Sequence, residues 1–140
     1  IDLTHTLNAH IPTWSGCCNF TIQTSLDYDQ CTSATKFKVQ NITMASSAGT
    51  HLDAPIHCIP NGRTVANLTL EELCVPAFVI NVNQYTHAQY KFSVQDLKKF
   101  EQQYGIIKSG SLVIIHTGWS KHWSNPQQYH NNYHYPTVSL

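Results

Sequence analysis

A chain of 140 residues is long enough to bury one sizeable core, and its 41% apolar fraction is that of an ordinary globular domain. Eight basic residues balance eight acidic ones, which excludes the broad positive field of a nucleic-acid binder or of an electrostatic membrane anchor. Only 11% of residues are charged, so Asn, Gln, Ser, Thr, His and Tyr carry the polarity, and the expected partner is a small molecule, such as a substrate, or another protein.

No apolar run reaches the roughly 20 residues of a membrane span, and Ile1-Asp2-Leu3-Thr4-His5 lacks the basic start and apolar middle of a signal peptide. Five cysteines, Cys17, Cys18, Cys31, Cys58 and Cys74, give an odd count without a C-x-x-C spacing. That pattern reads as free thiols in a reducing compartment, hence the cytoplasm. Three Asn-x-Thr sequons, at Asn19, Asn41 and Asn67, keep secretion open as the alternative.

Taken in chain order, the first predicted strand is Phe37–Met44, rich in β-branched and aromatic residues. The densest group of chemistry-bearing residues follows, Gly49-Thr50-His51-Leu52-Asp53-Ala54-Pro55-Ile56-His57. In an extended backbone His51 and Asp53 share a side, because side-chain direction repeats every two residues. An imidazole and a carboxylate together make two legs of a divalent-ion site. They equally make a buried hydrogen-bonded pair with a structural role, and H-x-D alone does not decide between the two. Pro55 fixes a turn that folds His57 back toward the same point.

Further on, Thr69-Leu70-Glu71-Glu72 and Ser93-Val94-Gln95-Asp96 each place a hydroxyl three residues before a carboxylate, the capping-box pattern of a helix start. The second helix is predicted to run to about Tyr104, with Val94, Leu97, Phe100 and Tyr104 on one face and Gly105 as its stop. Ala77–Val82 and Ser111–Thr117 are short continuous apolar runs, the pattern of strands buried on both faces. Strands alternating with helices define one α/β domain. Residues 118–136 carry Trp119, Trp123, Tyr129, Tyr133 and Tyr135, read as exposed aromatics on a loop that covers a pocket or meets another subunit. His130 and His134 have metal-pair spacing, but the flanking Pro126 and Pro136 favour a surface loop. His116 ends an apolar run and reads more readily as a core histidine than as a site residue. Cys58, next to His57, reads as a structural thiol.

The stretch Ser47–His57 resembles the H-x-G-T-H-x-D-x-P-x-H signature of the cyclase family of metal-dependent hydrolases, which includes bacterial kynurenine formamidases and isatin hydrolases. The opening Ile1–His5, Ile11-Pro12-Thr13-Trp14-Ser15-Gly16, the Ser111–Trp123 segment and Tyr135–Leu140 resemble further family segments in the same order. The resemblance implies His51 and Asp53 as metal ligands, His57 as the catalytic histidine, and Trp14, with Trp119 and its loop, against the substrate. It implies zinc or manganese as cofactor, a swivelling β/β/α domain whose mixed sheet closes toward a barrel, and assembly as a homo-oligomer, a dimer or tetramer. The expected activity is hydrolysis of an amide, lactam or ester bond in a small cyclic or aromatic substrate, with metal-activated water as nucleophile.

Two departures from the family pattern stand out. Ser47 occupies the position of the signature's first histidine, a family metal ligand, and a neutral hydroxyl is a poor replacement. Family members also continue well beyond this point to supply a further His and Glu, so the chain reads as a domain lacking its C-terminal part. Both departures suit an alternative, a family member without catalysis that serves as a ligand-binding or oligomeric interaction protein.

Overall fold

In the computed structural model, which describes residues 2–14 and 20–139, the chain is α/β and divides into two units, Ile1–Leu52 and Asp53–Leu140. Within the first, Thr21–Leu26 (β1) pairs antiparallel with Val39–Thr43 (β2), Ile22 facing Ile42 and Thr24 facing Gln40. The register slips at Ser25, an irregularity of the kind that bends a strand. β2 lies inside the predicted Phe37–Met44 strand. β1 was not anticipated, although its β-branched Thr21, Ile22 and Thr24 favour a strand.

The connection between these strands is held by polar contacts. Asp27 caps a single 3-10 turn, Tyr28–Gln30, and its carboxylate pairs with the Lys38 ammonium at 2.8 Å. Cys31 is buried, and its thiol donates to the Phe37 carbonyl at 3.3 Å. Ile11, Phe20 and Ala48 are also buried in this unit, whereas Ile22 and Ile42 are exposed.

The second unit is built on Ala77–Asn81 (β3) and Leu112–His116 (β5), paired parallel with Phe78 beside Val113 and Ile80 beside Ile115. A shorter parallel pair joins Lys91–Phe92 (β4) to Thr137–Val138 (β6). The core gathers Ile80, Val82 and Phe92, with Tyr90, Leu97, Phe100, Ile107, Val113 and Ile115 half-buried around them. β3 and β5 are not buried on both faces as predicted: Val79 is 55% and Leu112 51% exposed. Layers cover them from one side among the described residues, and the outward side chains meet water. Likewise, the described strands form three two-stranded sheets and none closes toward a barrel, since closure needs a sheet several strands wide.

Both helix starts form as the hydroxyl–carboxylate spacing predicts. Leu70–Leu73 (α1) is capped by Thr69, with Glu72 reaching back to the Thr69 N–H at 2.9 Å. Val94–Tyr104 (α2) is capped by Ser93, whose hydroxyl accepts from the Asp96 N–H, while the Asp96 carboxylate accepts from the Ser93 N–H at 2.9 Å. Gly105 ends α2 at φ +96°, a backbone conformation natural only to glycine. The predicted apolar face is narrower than expected: Leu97 and Phe100 pack on the core, whereas Val94 and Tyr104 are exposed.

Residues 126–136 do not form the plain loop expected. Pro126–His130 (α3) is a short helix with Asn125 as N-cap, accepting from the Gln128 N–H at 3.1 Å, and Pro126 in its first turn. The Asn-Pro pair was the signal for it. Asn131 takes a left-handed conformation and stops the helix, so His130 and His134 do not share a helical face.

Replacing Ser93 by Ala removes the α2 cap and should cost about 1 kcal/mol, read as a lower urea midpoint with unchanged slope. The Ser93 hydroxyl, and then its N–H, hold the Asp96 carboxyl below the usual carboxylate value. A depressed folded pKa stabilises above the ordinary carboxylate range and loses that contribution as pH falls through the lowered value. Asp96→Asn should therefore flatten the acid limb of stability against pH; an unchanged limb would contradict this assignment.

Candidate active site

The signature begins in the turn after β2, where Ser47 is exposed and Ala48 buried. Gly49 has φ +72°, and a Cβ there would collide with the Leu7 side chain, so glycine is needed both for the backbone conformation and for the close approach of the N-terminal segment. That approach is tied by the His5 N–H, which donates to the Thr50 hydroxyl at 3.3 Å.

His51 is exposed, and its Nδ1 lies 3.1 Å from the Gly49 carbonyl oxygen. A carbonyl only accepts, so Nδ1 is the donor in this contact. A backbone carbonyl on one ring nitrogen is a common anchor for a histidine that ligates a metal through the other. Asp53 is exposed and lies outside any regular strand. Pro55–His57 is one 3-10 turn with Pro55 in its first position, and the His57 N–H donates to the Ala54 carbonyl at 2.9 Å. His57 ends this turn, exposed.

The donor chemistry of His51 and Asp53 fits two legs of a divalent-ion site. Among the described residues, however, no three His, Cys, Asp or Glu side chains gather as a metal-holding group. Ser47 supplies no charged or imidazole donor, so the described residues fit only part of such a centre.

Of the two tryptophans implied against the substrate, Trp14 is 70% exposed. The following Ser15 and Gly16 of that motif lie outside the described residues, as do Cys17, Cys18 and Asn19. Trp119 is half-buried at the start of a 3-10 turn, Trp119–His122. Its indole N–H donates to the Tyr129 carbonyl at 2.9 Å, and its ring lies 4.7 Å from that of His122. Trp123 meets Tyr129 edge-on at 5.3 Å, and burial pushes the Tyr129 phenol above its usual pKa. The aromatics of residues 118–136 thus pack largely on one another, which the sequence reading missed by treating them as exposed; Tyr133 alone of those five is more than half exposed. Gly118 turns the chain out of β5 at φ +69°, where a Cβ would strike the Asn83 side chain.

His116 is exposed at the end of β5, and its carbonyl accepts from the Val82 N–H at 3.0 Å. Cys31, Cys58 and Cys74 are free thiols, Cys31 buried and the other two exposed, so Cys58 is not the buried structural thiol expected.

His51 after the Gly49-Thr50 turn, Asp53, and His57 on a proline-initiated turn are the candidate residues that the α/β chain presents, all three exposed. The sequence model of the family described as "Putative cyclase" matches residues 1–140, and the chain belongs to that family. The kynurenine formamidase of Geobacillus thermodenitrificans is 30% identical over 128 residues, covering 91% of this chain and 56% of that protein. That of Bacillus cytotoxicus is 31% identical over 100 residues, covering 71% and 44%. Among solved structures, isatin hydrolase A from Ralstonia solanacearum aligns with a TM-score of 0.81 at 26% identity, over 99% of this chain and 58% of that one. Isatin hydrolase A from Labrenzia aggregata, bound to benzyl benzoate, aligns at 0.82 and 28%, over 99% and 59%. The chain therefore spans about half the length of the relatives it matches.

Trp119→Phe keeps an aromatic ring, though a smaller one, and deletes the donor to Tyr129. It should cost about 1 kcal/mol and speed proteolytic nicking within residues 118–136, with α2 unaffected in hydrogen exchange.

Proposed function

We propose that the protein is a metal-dependent hydrolase that opens an amide, lactam or ester bond in a small cyclic or aromatic substrate. The observation that carries this reading is the His51–Gly49 contact, which anchors the His51 ring through Nδ1 within a segment whose relatives are kynurenine formamidases and isatin hydrolases. His51 and Asp53 would hold the ion, zinc or manganese. When bound, such an ion polarises the scissile carbonyl and activates water. His57 takes a proton from the attacking water and returns one to the leaving nitrogen or oxygen, a role suited to an imidazole near neutral pH. Trp14 and the Trp119 loop pack on the substrate ring.

The family match over residues 1–140 supports a single domain. The swivelling β/β/α fold with a mixed sheet closing toward a barrel is our reading of the intact protein, whose sheet would have to be wider than the two-stranded sheets among the described residues. We place it in the cytoplasm as a homo-oligomer; among the described residues no helix is long and apolar enough to cross a membrane. Ser47 favours a second reading, a binding protein that keeps the fold without the chemistry.

Elemental analysis of the intact protein, with assays on an aryl formamide, a lactam and an ester, separates the two. The hydrolase should carry near-stoichiometric metal, lost in both His51→Ala and Asp53→Ala. His57→Gln should keep the metal and lose about 10²- to 10⁴-fold in kcat. A protein that stays metal-free and inert after incubation with zinc or manganese is the binding protein instead.

A further inference from the structure

The turn carrying His57 is closed by backbone bonds rather than by packing. The Ile56 N–H donates to the Arg63 carbonyl at 3.1 Å, the Ile59 N–H to the Pro55 carbonyl at 3.0 Å, and the Gly62 N–H to the Ile59 carbonyl at 2.9 Å. Asn61 makes the reversal at φ +61°, a conformation asparagine tolerates better than most residues. None of the side chains from Ile56 to Arg63 is buried; Ile56 is 47% and Ile59 58% exposed. Hydrophobic burial therefore does not dictate this closed shape.

Two features do. A Cβ on Gly62 would lie 2.9 Å from the Ile56 nitrogen, the Ile59 oxygen and the Pro55 carbonyl carbon, all backbone atoms of the His57 turn. Any side chain at 62 must push that turn open. Arg63, whose carbonyl closes the loop at Ile56, extends its guanidinium to Glu72, with Nη1 at 2.8 Å from Oε1 and 3.1 Å from Oε2. The same Glu72 carboxylate caps α1 through the Thr69 N–H. Arg63 thus ties the His57 turn to the first turn of α1 through a charge-assisted, two-oxygen contact.

We propose that Gly62 and the Arg63–Glu72 pair are positioning residues that fix where His57 presents its imidazole. This rests on the reading of His57 as the acid/base group. The pair is half-exposed, and such pairs contribute little to global stability, so its loss should appear in catalysis before it appears in folding. Proton transfer tolerates little misplacement: about 1 Å costs on the order of 10²-fold.

The test measures kcat, KM and Tm of the intact protein on an aryl formamide, for Gly62→Ala, Arg63→Ala, Arg63→Lys and His57→Gln, with Gly105→Ala as a distal control. We expect Gly62→Ala and Arg63→Ala to lower kcat by about 10- to 100-fold with KM nearly unchanged, and Arg63→Lys to recover most of the Arg63→Ala loss. Gly105→Ala, which meets no atom within 4 Å, should lower Tm while leaving kcat alone. Wild-type kcat in Gly62→Ala and Arg63→Ala alongside an inactive His57→Gln would overturn the positioning role and leave the proposed function standing. Wild-type kcat in His57→Gln would overturn the acid/base reading itself. If Gly62→Ala fails to fold, the Arg63 series decides: no recovery by Lys, or an equal kcat loss in Gly105→Ala, counts against the proposal.

Discussion

The parallel pairing of β3 with β5 is the constraint on which the second unit depends. Parallel neighbours cannot be joined by a tight turn, so the chain must leave β3, cross the sheet and return in the same direction. Residues 82–111 make that crossing, and α2 is its rigid part. Leu97 and Phe100 of α2 bear on Ile80, Val82 and Phe92, so the helix that the topology requires is also what dries the pair's inner face. β5 then ends at His116, and Gly118, in a left-handed conformation, turns the chain into the aromatic segment. That segment stands where it does because the strand pair ends where it does.

The elements most legible in the sequence were those with local causes. Thr69 with Glu72 and Ser93 with Asp96 satisfy helix-end N–H groups by contacts three residues apart, so sequence spacing is enough to find them. Gly105 follows from the same logic. The apolar runs were correctly placed as strands, but their two-sided burial was not found. A run such as Phe78-Val79-Ile80 records that both faces suit an apolar environment; it does not say which layers provide one. In the first unit Ile22 and Ile42 carry the same message, directly opposed across a hairpin and exposed.

The candidate site could be read from the sequence as a list of residues but not as a geometry. Spacing and resemblance singled out His51, Asp53 and His57. They could not show the Gly49 carbonyl that anchors the His51 ring, because that contact depends on a backbone turn at positive φ. Gly62 and Arg63 went unnoticed for a related reason. Asn61-Gly62 reads as a generic turn, and an arginine nine residues from a glutamate has no local signature when the intervening chain is irregular. The aromatic segment failed differently. Its low charge and many rings suggested exposure, whereas Trp119 and Trp123 find their partners within ten residues, on a helix announced only by Asn125-Pro126.

Residues 49–63, where we propose that the chemistry lies, have almost no hydrophobic support, since Ala54 is the one buried side chain among them. A segment held by burial moves only when a core is disrupted, but it must then hide its side chains. Catalytic imidazoles and carboxylates have to face solvent and substrate, so their segment cannot be anchored through them. The remaining means are backbone hydrogen bonds, glycines where chains cross closely, and a few charged clasps anchored on regular structure. Each is present here: the Ala54–His57 bond, Gly49 and Gly62, and Arg63 on the capped start of α1. These means fix position at small cost in stability. They also make position sensitive to single atoms, and this is why a methyl group at residue 62 should matter more to the reaction than to the fold.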